Sequence, residues 1–194
     1  MSREQKTRSS RTPMTAEESN EEKWYAMRIY KNETEAEDKL AGDGSILYFI
    51  PKRHALRTYH GKKSLRLVPV IPNLVFVRAS YRKIIDFKQE KYNSLQFIVN
   101  GRESTPRYIT VRDKDMDSFI KICQQYSNNT RFYKPEDINI SRGTKVRVHG
   151  GPLDMVEGSF VKVSGKRSKQ LVVLLTGIMA VSTTVEPEYL EVIG

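Results

Sequence analysis

The chain has 194 residues, with 33 Lys and Arg against 23 Asp and Glu, a formal charge of +10. This length buries a real core and suits two small domains, while the basic excess suggests a polyanionic neighbour, most simply nucleic acid. The single cysteine, Cys123, excludes an internal disulfide framework, and the longest aliphatic run, Leu171 to Leu175, is far too short to cross a bilayer, so neither secretion nor membrane insertion is expected and the cytosol is the simplest compartment.

Residues 1–23 hold no apolar run and read as a disordered polar tail. Trp24 to Tyr30 has the aromatic, alternating character of a strand. Asn32, followed three residues later by Glu35, resembles a capping box opening a helix to about Leu40 that ends near Gly42 and Gly44. Ile46 to Ile50 reads as a strand stopped by Pro51. His54 to Val68 reads as a long basic hairpin turning at His60-Gly61. Leu74 to Val77 is strand-like, Ser80 caps a helix carrying Ile84, Ile85 and Phe87 inward, and Leu95 to Val99 is again a strand. Met116, Phe119, Ile120 and Cys123 recur at the spacing of an amphipathic helix, which makes Cys123 a core residue. Asp113, Asp115 and Asp117 at its start favour the helix dipole.

The net charge is not spread evenly. Residues 51 to 91 hold eleven basic side chains and two acidic ones, 11 − 2 = +9. Clustering of this degree favours a functional patch over a uniform solvating coat.

Residues 24–126 therefore form an α+β layer, helices packed on an antiparallel sheet. A polar stretch, 127–141, suits an interdomain linker. Residues 142–194 read as five short strands, at about 144–149, 158–164, 169–175, 178–183 and 190–193, punctuated by Gly165, Gly177 and Pro187, which make a small all-β barrel. In its first hairpin, TKVRVHGGPLDMVEGSFVKV, Val146 and Val148 then Val161 and Val163 alternate at period two, and Gly150, Gly151 and Gly158 supply backbone angles that a Cβ would obstruct.

That hairpin resembles a KOW motif, which builds SH3-like barrels in the transcription and translation machinery. Taken with WYAMR at 24–28, the basic hairpin, VIPNLVFV at 70–77 and QFIVNG at 96–101, it makes residues 24–194 similar to the NusG family of bacterial elongation factors. LVPVIPNLVFVRAS and GIMAVSTTVEPEYLEVI most resemble the specialised UpxY-type paralogues, antiterminators of capsular polysaccharide loci. The resemblance implies an NGN domain at 24–126 that binds the clamp helices of the largest RNA polymerase subunit, a KOW barrel at 142–194 that recruits another partner, and suppression of pausing or termination at particular operons by a monomer.

By position, the family's Phe-Pro-Gly-Tyr polymerase contact falls on Ile71, Pro72, Asn73 and Leu74. Both aromatics are replaced by aliphatics and the glycine by Asn73, a residue that still reaches the left-handed region. Leu153 and Met155 fall on the apolar tip of the KOW turn. Lys52, Arg53, Arg57, Tyr59, Lys62, Lys63 and Arg66 of the hairpin are the candidate nucleic-acid contacts, with non-template DNA of the elongation complex as the expected strand.

His54, His60 and His149 are scattered, no metal-ligand spacing occurs, and Walker, GxSxG and strand-linked GxGxxG motifs are absent. The sequence reads as a non-enzyme without cofactor or metal. The alternative reading is a ribosome-associated or rRNA-binding KOW protein, which would not need an NGN-like domain with a VIPNLVFV segment; an enzyme of polysaccharide synthesis is disfavoured by the missing nucleotide and metal motifs.

Overall fold

The computed structural model describes residues 19–100, 107–125 and 129–193. Most of the tail expected at the N-terminus lies outside the described residues. Strand β1 (Glu22–Ile29) is the centre of a five-stranded antiparallel sheet. It pairs on one side with β5 (Leu74–Ser80), which carries β2 (Leu47–Phe49) on its far edge. On its other side it pairs with β6 (Leu95–Phe97) and β9 (Thr110–Val111). The period-two alternation then sends side chains to two faces. Tyr25, Met27 and Ile29, opposite Val75 and Val77, form one core with Leu40, Ile84 and Phe87, while Trp24, Ala26, Leu74 and Phe76 form another with Met116 and Phe119.

The helices begin where their caps dictate. In α1 (Glu33–Asp43) the Asn32 carboxamide oxygen accepts from the amides of Thr34 and Glu35 at 3.1 and 3.3 Å, and Gly44 ends the helix in the left-handed region at φ 66°. In α2 (Tyr81–Glu90) the Ser80 hydroxyl accepts from the amide of Lys83. Helix α3 (Asp113–Gln124) has no side-chain cap, but Asp113 pairs with Arg78 at 3.1 Å and Asp115 with Arg112 at 2.8 Å. Its anchor is Phe119, edge-on to Phe49 and Phe76 with ring centroids 6.3 and 6.1 Å away. Truncating such a buried ring costs about 3–5 kcal/mol.

The basic hairpin is strand β3 (Lys52–Tyr59) paired with β4 (Lys62–Pro69), a separate two-stranded ribbon. His60 and Gly61 at its tip both have positive φ, 46° and 76°, as a two-residue primed turn requires. A smaller ribbon, β7 (Val99–Asn100) with β8 (Arg107–Tyr108), follows β6 and was not apparent in the sequence.

The C-terminal region is a six-stranded antiparallel sheet in the order β10-β14-β13-β12-β11-β15. Five of its strands match those expected: β11 (Thr144–Val148), β12 (Glu157–Lys162), β13 (Lys169–Leu175), β14 (Met179–Thr183) and β15 (Leu190–Val192). The sixth, β10 (Arg131–Tyr133), comes from the stretch read as a linker and pairs with β14. Both faces of this sheet are covered. Val146, Val148, Leu171, Val173 and Val181 join the core that contains α3, while Val161, Val163 and Val172 pack with Tyr133, Ile138 and Ile140. Helix α3 is thus a layer shared by the two halves, lying against β1 on one side and β12, β13 and β14 on the other. No helix among the described residues is long and apolar enough to cross a membrane.

Candidate functional site

The register of the ribbon sorts its side chains. Arg53, Ala55 and Arg57 oppose Val68, Arg66 and Ser64, and these six share one face with Lys62, which stands opposite Tyr59 in the register. Lys52, His54, Leu56 and Thr58 oppose Pro69, Leu67, Leu65 and Lys63 on the other. The hairpin is therefore two-sided. One face carries Arg53, Arg57, Lys62 and Arg66; the other exposes Leu56, Leu65 and Leu67, at 62%, 64% and 45%. Lys63 stands apart from the other cations, among the leucines. The backbone of Tyr59 is in β3, and its side chain lies outside the described part of the structure.

Electrostatic pairing separates these cations from Lys52, Arg78 and Lys91 of the same basic segment. Lys52, at the root, is bound to Glu37 at 2.7 Å. Arg78 is held by Glu22 and Asp113, and Lys91 by Asp43. Among the described residues Arg53, Arg57, Lys62, Lys63 and Arg66 have no carboxylate partner; the Arg66 Nε donates to the Ser64 hydroxyl at 3.3 Å. A shallow concavity of about 520 Å³ is lined by Arg57, Thr58, Ser64, Arg66, Leu67 and Val68.

The segment Ile71–Leu74 connects the ribbon to the central sheet. The amide of Leu74 donates to the carbonyl of Ile71 at 3.4 Å, and Asn73 sits at φ 63°. With Pro72 before it, this is the sequence chemistry of a type II turn, which needs a positive φ at its third residue. The turn is pinned from outside: the Asn73 amide donates to the Glu33 carboxylate at 3.1 Å, and the Asn73 carbonyl accepts from Ile29 at 2.9 Å. Pro72 and Asn73 are exposed and Ile71 is half-buried. Leu74, at 4% exposure, belongs to the core of the sheet.

In the C-terminal sheet region, Gly150 and Gly151 take positive φ (80° and 69°) and the Asp154 carboxylate accepts from the Gly150 amide at 2.7 Å. Of the two tip residues, Met155 is exposed and Leu153 packs against the core shared with α3. The tip abuts that helix: Lys121 donates to the Asp154 carbonyl at 2.8 Å, the Glu157 amide donates to the Ser118 hydroxyl at 3.1 Å, and Lys114 pairs with the Glu157 carboxylate at 2.7 Å. Lys114 and then Arg147, hydrogen-bonded to that carboxylate, hold the Glu157 carboxyl below its ordinary range. The apolar stripe read from the sequence names only the sheet side of α3. Ser118 and Ile122, buried at spacing i, i+4, are a second face.

Cys123 is buried and its burial pushes the thiol far up, so it is a core residue and not a nucleophile. No cluster of three or more His, Cys, Asp or Glu suited to a metal occurs among the described residues.

A family model described as transcription termination factor NusG matches residues 22–120, half of the chain, and spans β1 through the first two turns of α3 with the ribbon inside it. No curated protein matches the chain.

Proposed function

The chain belongs to the NusG family, a family of transcription factors, and on that premise we propose that it is an elongation and antitermination factor which binds RNA polymerase through its N-terminal unit. The unit is an NGN domain, residues 24–126, followed by a KOW domain at 142–194 to which the strand Arg131–Tyr133 of the expected linker adds. The observation that carries this reading is that the matched residues 22–120 coincide with the central sheet and carry both the exposed turn and the cationic ribbon, whose Arg53, Arg57, Lys62, Lys63 and Arg66 have no carboxylate partner among the described residues.

The turn at Ile71, Pro72 and Asn73 is the contact for the clamp helices of the largest subunit. It keeps the proline and the left-handed residue that shape the turn, and Leu74 supports it from within the core. The ribbon reaches toward nucleic acid of the elongation complex, with non-template DNA as its strand. Met155, with Leu153 beneath it, is the contact for a further partner of the barrel. Selectivity of the UpxY type, for operons of capsular polysaccharide synthesis, is the specialisation that the sequence supports.

The direct test is co-assembly of the full chain with RNA polymerase elongation complexes or with ribosomal subunits. Wild type should join the polymerase, and Ile71→Asp combined with Pro72→Ala should weaken that binding by about 2 kcal/mol, the loss expected of an interface anchor. Circular dichroism checks that the variant folds. A folded variant that binds as wild type, or a wild-type chain that sediments only with ribosomal subunits, overturns the reading.

A further inference from the structure

The geometry points to one face of the β3–β4 ribbon, carrying Arg53, Arg66, Arg57 and Lys62 in that order along its length, as a track for a single extended polynucleotide strand. This rests on the family reading above and adds to it which face of the ribbon binds and which of its cations count.

The order follows from the register. Arg66 stands opposite Ala55, midway between Arg53 and Arg57 on the neighbouring strand, and Lys62 stands opposite Tyr59, one step further toward the tip. Each cation is therefore two residues along the ribbon from the next, about 7 Å, and the four span about 20 Å. A regular line of charges suits one phosphate backbone, because each guanidinium or ammonium meets a successive phosphate without the strand having to turn. None of the four is neutralised by a carboxylate among the described residues, so the cost of breaking an ion pair does not arise on binding.

Two features favour a single strand over a duplex. The concavity of about 520 Å³ has Arg57 and Arg66 in its lining together with Thr58 and Leu67 of the other face, and an unpaired strand on the arginine face is free to turn a base or sugar toward it, which a paired strand cannot do. A ribbon inserted in a duplex major groove also has to meet both backbones. The reverse side here offers three exposed leucines, with Lys63 as its nearest cation toward the tip. Polyanion binding belongs to the arginine face and not to the whole hairpin, so Lys63, three bonds of backbone from Lys62, is outside the track.

The experiment uses the full chain, a short fluorescent pyrimidine single strand and the matching duplex, with anisotropy across a salt series. Four phosphate contacts at about −0.7 each predict that log K falls against log salt with a slope of roughly −3 for the single strand. Arg57→Ser with Arg66→Ser should halve that slope, and Lys63→Ser should leave it unchanged. All three positions are exposed, and circular dichroism verifies the fold. If Lys63→Ser flattens the slope as much as an arginine substitution does, the hairpin binds nucleic acid through diffuse charge and the face assignment fails while the functional reading stands. Tighter binding of the duplex overturns the single-strand assignment. If the chain joins polymerase but neither substitution alters the slope, the track fails and the family reading survives.

Discussion

Gly158 is required by what lies across from it and not by its own torsion angles. The sequence suggests a glycine needed for unusual backbone angles, and at Gly150 and Gly151 the positive φ agrees. At Gly158 a Cβ would instead meet the Val172 carbonyl oxygen at 2.6 Å and Leu171 Cδ1 at 3.0 Å, on the strand beside it. The oxygen is backbone and cannot rotate away, so Gly158→Ala should lower stability by about 1–3 kcal/mol, as overpacking does. Gly42, in the last turn of α1 with nothing within 4 Å of its Cβ position, is the opposite case: Gly42→Ala should raise stability by about 0.5–1 kcal/mol. Urea midpoints of the two variants check both signs. The left-handed conformation of Asn73 was legible where the role of Gly158 was not, because Asn73 stands in the place of the family's glycine and is itself a residue that reaches that region, whereas the atoms that exclude a side chain at Gly158 lie across the ladder in residues no local pattern connects to it. Asn73→Gly should keep the stability within a few tenths of a kcal/mol, while Asn73→Val, β-branched at φ 63°, should lose about 1–2 kcal/mol in the same measurement.

At the scale of elements, the long hairpin and the five barrel strands were legible because alternation and turn residues repeat within each. The two-residue strands β7, β8 and β9 were not, since they are too short to show a period, and β10 was hidden in a polar stretch that only its partner β14 makes a strand. Helix α3 was read as a one-sided stripe because Ser118, a small polar residue, and the isolated Ile122 do not announce a second apolar face. That face is fastened by the ion pair of Lys114 with Glu157, and its pH dependence has a definite sign. The folded carboxyl is held below its ordinary value by Lys114 and Arg147, so the contribution is complete above the unfolded Glu value of about 4.3 and is lost as pH falls through the lower folded one. Neutral stability should change by less than about 1 kcal/mol in Lys114→Ala, because that lysine is largely exposed. The acid limb below the ordinary carboxylate range should be shallower in the variant than in wild type. Urea midpoints followed from neutral pH into acid would show it, and identical acid limbs would remove Lys114 from the account.

Across the whole molecule, one continuous core runs from Trp24 and Phe76 in the central sheet through Met116, Phe119 and Ile122 of α3 to Val146, Val173 and Val181 in the C-terminal sheet. Two domains joined only by a linker would unfold independently; two domains that share a helix gain stability together. Full-length protein should therefore show coincident urea transitions for the fluorescence of Trp24, the sole tryptophan and a reporter on the central sheet, and for the methyl resonances of Val146 and Val173 in the barrel. Ile122 is the side chain on which this depends most. It is fully buried in the core that both sheets share, one turn from Ser118, whose hydroxyl accepts from the Glu157 amide of the C-terminal sheet, so Ile122→Asp places a charge where there is no route to water while the halves stay together. Separation relieves it. The C-terminal sheet has its own second core around Val161, Val163 and Val172 and strands rich in β-branched residues, so it should remain folded after release and keep its strand chemical shifts. The expected result in Ile122→Asp is two transitions, with the tryptophan moving to lower urea than the valine methyls. Coincident transitions in the variant would show that the helix is not the coupling element, and separate transitions already in the wild type would show that the shared core adds no cooperativity.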